Sequence, residues 1–151
     1  MRARPVLFAA GALLALAPAC APHEPRGGTV RPRQVFTLAI GDTARLQGTG
    51  LAVTLRDVRD DSRCPVDADC GWPGDATIVV AAADGHTAPA EHEFHTNPLP
   101  ARSAPPDPDG DRRAARLDGH MLRFKGLAPS RRSGDRVDRG DYRARFALHP
   151  A

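Results

Sequence analysis

Between Asp61 and Ala76 the chain reads DSRCPVDADCGWPGDA, sixteen residues that hold two cysteines, the single tryptophan and four aspartates. Two thiols this close can staple a loop, cycle as a redox couple or hold a metal. Thiol–disulfide enzymes favour Cys-x-x-Cys at a helix start, whereas five residues separate Cys64 from Cys70 and no helix signal follows. Two other stretches carry metal-type ligands. In EHEFH, an extended backbone points Glu91, Glu93 and His95 one way and His92 and Phe94 the other, so two carboxylates and one imidazole form a candidate row. The same row is also an ordinary polar strand face. In DPDGD, Asp107, Asp109 and Asp111 have the one-three-five spacing of a calcium loop, with Asp118 twelfth. Arg112 stands where that loop needs glycine, and flanking helices are missing, so solvated acids are the expected reading. No metal or other cofactor is assigned. Enzyme signatures are absent: the chain has no Gly-x-Ser-x-Gly elbow, no His-Glu-x-x-His and no glycine loop for phosphate. Asp61 and Asp69 could be imagined as an acid–base pair, but two aspartates without geometry are not a site.

The elements that position these residues begin after an N-terminal segment. MRARPVLFAAGALLALAPA, residues 1–19, places Arg2 and Arg4 before an apolar run too short to span a bilayer and ends in small residues, which predicts a secretion signal. Leu16-Ala17-Pro18-Ala19-Cys20 resembles the lipobox of bacterial lipoproteins, which implies lipidation of Cys20 and attachment to a bacterial membrane, facing the periplasm or the cell surface. With Cys20 carrying lipid in an oxidising compartment, Cys64 and Cys70 are left to pair with each other. Residues 20–33, with APHEPRGGTVRPR after the cysteine, read as a tether that reaches about 40 Å at about 3.1 Å per residue. Loss of Arg2 and Arg4 leaves 19 basic residues against 18 acidic ones. That balance gives no case for nucleic-acid binding, which requires a concentrated basic face.

Residues 34–151 carry a period of two. Phe36, Leu38 and Ile40 alternate with smaller residues before a Gly41-Asp42 turn, and Leu51, Val53 and Leu55 repeat the pattern. ATIVVAAA, residues 76–83, reads as a strand buried on both sides and closes at Asp84-Gly85. Further strands are expected at residues 91–96, 120–126 and 142–148, the last with Tyr142, Ala144, Phe146 and Leu148 on one face. About seven short strands and no sustained helical period predict a single all-β domain, an antiparallel sandwich or barrel. Residues 97–119, rich in proline, aspartate and arginine, are expected to form a long polar loop. The stretch from Ala128 to Asp141 before Tyr142 faintly matches a tyrosine corner, although a plain core tyrosine is the simpler expectation.

Asp61-Ser62-Arg63-Cys64-Pro65 and Cys70-Gly71-Trp72-Pro73-Gly74-Asp75-Ala76 resemble a D-S-R-C-P … C-x-W-x-G-x-A signature of small exported bacterial proteins, many of them lipoproteins. The similarity extends to His95-Thr96-Asn97, Leu127-Ala128-Pro129 and Asp141-Tyr142. It implies export and a disulfide-stapled β domain, and it carries over no activity. Trp72 is expected either to pack over the disulfide or to cap the core with its indole N–H on a loop carbonyl, the alternative being ligand stacking. The expected function is therefore non-enzymatic: a membrane-anchored envelope lipoprotein in a binding or structural role. Arg63, Trp72 and residues 129–141 would form the surface for another envelope protein. The alternative is a small exported metal-binding protein using Glu91, Glu93 and His95 or the Asp107 to Asp111 loop.

Overall fold

Alternating side chains settle into strands in the computed structural model, which describes residues 27–97 and 111–151. Among these residues there are nine strands: β1 (Gly28–Val30), β2 (Val35–Ala39), β3 (Thr43–Leu46), β4 (Ala52–Arg59), β5 (Thr77–Ala83), β6 (Ala90–His95), β7 (Ala114–Leu117), β8 (His120–Ala128) and β9 (Arg143–Pro150). They make a sandwich of a five-stranded sheet, ordered β1-β3-β4-β5-β6, and a four-stranded sheet, ordered β2-β9-β8-β7. All pairings are antiparallel except the parallel pair of β1 and β3. The sandwich form of the expected all-β fold is the one adopted.

Each sheet turns one set of alternate residues inward, as a pleated strand must. Phe146 of β9 lies at the centre, its ring 6.1 Å from Phe36, 5.7 Å from Phe124 and, across the sandwich, 5.6 Å from Phe94. Leu38, Val53, Leu55, Ile78, Leu122 and Leu148 complete the fully buried layer around it. Tyr142, Ala144, Phe146 and Leu148 share the inward face as expected. β5 departs from expectation: Ile78, Val80 and Ala82 enter the core, while on the outer face only Val79 is buried and Ala81 and Ala83 are half-buried.

Three strands lie where none was expected. Residues 28–30 do not belong to the tether, because β1 pairs with β3 and Val30 is fully buried. β3 has only Ala44 and Leu46 to mark its period, and β7 occupies residues 114–117 of the expected polar loop, with Leu117 in the core. The tyrosine corner is not formed: the Tyr142 hydroxyl donates to the Asp61 carboxylate at 2.9 Å instead of to nearby backbone. Cys20, Asp107 and Asp109 lie outside the described residues.

Candidate functional site

The segment from Asp61 to Ala76 joins β4 to β5 and is closed at its base. Ser62 N–H donates to Asp75 O at 2.7 Å, the Ser62 hydroxyl donates to the same oxygen at 3.0 Å, and Asp75 N–H returns a bond to Ser62 Oγ at 3.1 Å. Gly74 makes the closure possible. Its φ is +68°, and a Cβ there would overlap the Ser62 carbonyl, so no other residue fits without moving the backbone. Above this base Cys64 and Cys70 form a disulfide, with Cα atoms 6.1 Å apart, and Cys64 N–H donates to Pro73 O at 2.9 Å.

Arg63 braces the loop from beneath. Its Nε and one terminal nitrogen grip both Asp61 oxygens at 2.8 and 2.7 Å, and the guanidinium also donates to Leu127 O at 3.0 Å and Pro129 O at 2.9 Å. The Asp61 side chain is 8% exposed and that of Arg63 14%. Burial opposes the Asp61 charge, but the bond and charge of Arg63 and the Tyr142 hydroxyl outweigh it and hold the carboxyl below its ordinary range. Burial and that same carboxylate push Tyr142 up to about 12. Arg63 was expected to offer its charge to a partner. The structure turns it inward, because a half-buried guanidinium needs all of these acceptors.

A second hydrogen-bonded cluster starts from Asp75. Its carboxylate accepts from His95 Nδ1 at 2.7 Å, from the Thr96 hydroxyl at 3.0 Å and from Asn97 N–H at 2.9 Å, with Arg112 at 3.6 Å. Burial works against this charge too, and the Asn97, His95 and Thr96 bonds overcome it, so the Asp75 pKa is lowered. The imidazole of His95 is thereby committed to Asp75. Glu93 instead faces Arg59 at 3.6 Å, and His92 turns to the opposite side with Phe94. No group of metal ligands converges among the described residues. Glu91, Glu93 and His95 share an outer face without closing on one point, and Asp111 pairs with Arg123 at 3.2 Å.

Trp72 is 57% exposed, so it does not cap the core. Val66, inside the disulfide ring, is 62% exposed, and these two are the exposed large hydrophobic residues among those described. The backbone around Val66 is braced: Val66 N–H donates to Arg131 O at 2.9 Å, Arg131 donates to Arg63 O at 3.0 Å, and Asp67 accepts from Ser133 N–H at 2.8 Å. The sequence reading missed Val66. Its one available signal was an apolar side chain between two cysteines with no periodic neighbour to pack on. Beside the loop, an open groove of about 650 Å³ runs under residues 131–139, lined by Asp57, Asp60, Asp61, Arg131, Arg136 and Tyr142 among others.

The residues that carry the resemblance thus hold structural positions. Asp61, Ser62, Arg63, Gly74 and Asp75 build the loop base, His95, Thr96 and Asn97 close on Asp75, and Leu127, Pro129 and Tyr142 close on the Asp61–Arg63 pair. Such an arrangement can present a rigid apolar tip. A serine swap at both Cys64 and Cys70 is expected to lower unfolding free energy by about 2–4 kcal/mol. An unchanged denaturant midpoint would mean that the disulfide does not constrain the loop. No family model matches the chain, and no curated protein or solved structure matches it either.

Proposed function

We propose that the protein is an exported, lipid-anchored envelope protein that performs no catalysis and binds another envelope protein through its disulfide loop. The observation that carries this reading is that Val66 and Trp72, the exposed large hydrophobic residues among those described, both lie on one loop closed by a disulfide and held at Val66 and Asp67 by bonds to residues 131–133. Pre-ordered aromatic side chains are the usual anchors of protein interfaces, because little conformational entropy remains to be lost on binding. The anchor itself rests on the resemblance of residues 16–20 to a lipobox.

Intact mass of the protein from its own membranes tests the anchor: acyl chains on Cys20 support it, and an unmodified thiol overturns it. Docking is tested by a photo-crosslinking residue at position 72. The expected result is one discrete adduct in cells, weakened about five- to thirtyfold by Val66→Ser because an interface anchor contributes roughly 1–2 kcal/mol, with no change in melting temperature. Adduct formation indifferent to Val66→Ser would remove Val66 from the interface, and the absence of a discrete adduct from position 72 would overturn docking through the loop.

A further inference from the structure

The sum of charges hides how they are distributed. On the four-stranded sheet the inward set includes Leu117, Leu122, Phe124, Ala144, Phe146 and Leu148. The alternate positions therefore face outward: Arg143 and Arg145 on β9, Arg123 on β8 with Lys125 at its bulge, and Arg116 on β7. The strands of this sheet contain five basic residues and not one aspartate or glutamate. The other sheet is balanced, with Arg45, Arg56 and Arg59 against Asp57, Glu91 and Glu93, and Arg59 bridges Asp57 and Glu93 at 3.9 and 3.6 Å.

On the basic face, Arg143 donates to the carbonyls of Gly140 and Tyr142, which leave its charge intact. Arg123 meets Asp111 in an open pair, 49% and 42% exposed, which offsets little in water. Arg116 and Arg145 make further contacts of their own, yet remain exposed. The chain enters the domain beside this face: Gly27 N–H donates to Thr37 O at 3.1 Å, and Thr37 on edge strand β2 is the register partner of Arg145. Only residues 21–26 separate Gly27 from Cys20. The seven Cα-to-Cα steps from Cys20 to Gly27 reach at most about 25 Å when extended.

We propose that the outer face of the four-stranded sheet rests on anionic lipid headgroups, with Arg123, Lys125, Arg143 and Arg145 opposite the phosphates. This inference rests on the lipid-anchored reading, since a short tether is what keeps the face within reach of the surface. The anionic surface supplies the complementary charge, and each cation close to it strengthens binding by about fivefold.

The test uses the chain from residue 20 with Cys20→Ser, which carries no lipid and retains every core residue from Val30 to Leu148. Co-sedimentation is measured with vesicles of neutral lipid alone and with one-third phosphatidylglycerol. Binding is expected only to the anionic vesicles, to fall with rising salt, and to weaken about thirtyfold in Lys125→Gln/Arg143→Gln. Lys125→Gln alone gives about fivefold should the double variant fold poorly. Arg45→Gln/Arg59→Gln, the same charge loss on the other sheet, is expected to change binding less than about twofold at these ionic strengths. Equal binding to neutral vesicles, equal weakening by the two double variants, or tighter binding to duplex DNA at the same phosphate concentration each overturns the proposal. Because the assayed chain has no lipid, failure here leaves the anchor standing, and an unmodified Cys20 in cells leaves the vesicle result standing.

Discussion

Replacing Asp61 with alanine is expected to lower the unfolding free energy by about 3–5 kcal/mol, the range for breaking a largely buried ion pair from one side. The cost comes from what is left behind. Arg63 would keep its carbonyl partners but lose both carboxylate oxygens, at a site where its side chain is only 14% exposed. Tyr142, 7% exposed, would lose the acceptor of its hydroxyl. Urea denaturation of Asp61→Ala, Arg63→Ala and the double variant checks this, because the second change removes the charge that the first leaves unpaired. The double variant should be less destabilised than the sum of the single ones by about 1–3 kcal/mol. Strict additivity would mean that the pair is not coupled.

The same carboxylate gives the prediction a pH signature. Asp61 has a folded pKa below its unfolded value. Its stabilising contribution is therefore complete above the unfolded pKa, about 3.9, and is lost as pH falls through the lower folded value. The stability gap between wild type and Asp61→Ala should stay constant from neutral pH down to about 4 and then narrow. A gap that widens on acidification would contradict the geometry of the pair.

Phe146→Ala is expected to cost about 3–5 kcal/mol, the range for emptying an aromatic site in a core that cannot fully collapse. Phe146 is fully buried and touches rings from both sheets, Phe36 and Phe124 beside it and Phe94 opposite. No single neighbour can fill the space left. Phe146→Leu keeps most of the volume and should cost less than about 2 kcal/mol. Thermal unfolding of both variants orders the two losses; an alanine variant as stable as the leucine variant would mean that Phe146 does not join the sheets. Against a typical stability of about 5–15 kcal/mol, either Asp61→Ala or Phe146→Ala removes a substantial share of the native state's margin.

Strands whose inward residues are large were readable from the sequence. β9 announces itself through Tyr142, Ala144, Phe146 and Leu148, and β4 through Val53 and Leu55, because burial imposes the period directly. β1, β3 and β7 are only three or four residues long, too short for a period to stand out, and β1 owes its place to a strand beyond its neighbour in sequence. Gly28 to Val30 becomes a strand because Ala44 to Leu46 lies beside it, which no local pattern encodes. The site was legible to the same extent. The Cys64–Cys70 bond was expected from the cysteine count together with the expected export. The inward turn of Arg63 depends on carbonyls 64 and 66 residues further along the chain. His95 likewise looked like a ligand in a row until Asp75, twenty residues earlier, was placed on its Nδ1.

The strand order also bears on when the protein can fold. β9, nearest the C-terminus, occupies an interior position of the four-stranded sheet, with β2 on one side and β8 on the other. β2, among the first elements synthesised, has no sheet partner until Arg143 to Pro150 arrives. Phe36 and Leu38 must wait with it, since their cover is Phe146 and Ala144 in the same register. N-terminal segments usually fold first as a chain emerges; here the sheet order forbids a finished N-terminal half. Until β9 has been made, β2 keeps an open edge and an uncovered apolar face, so closure of the four-stranded sheet is the late event of folding.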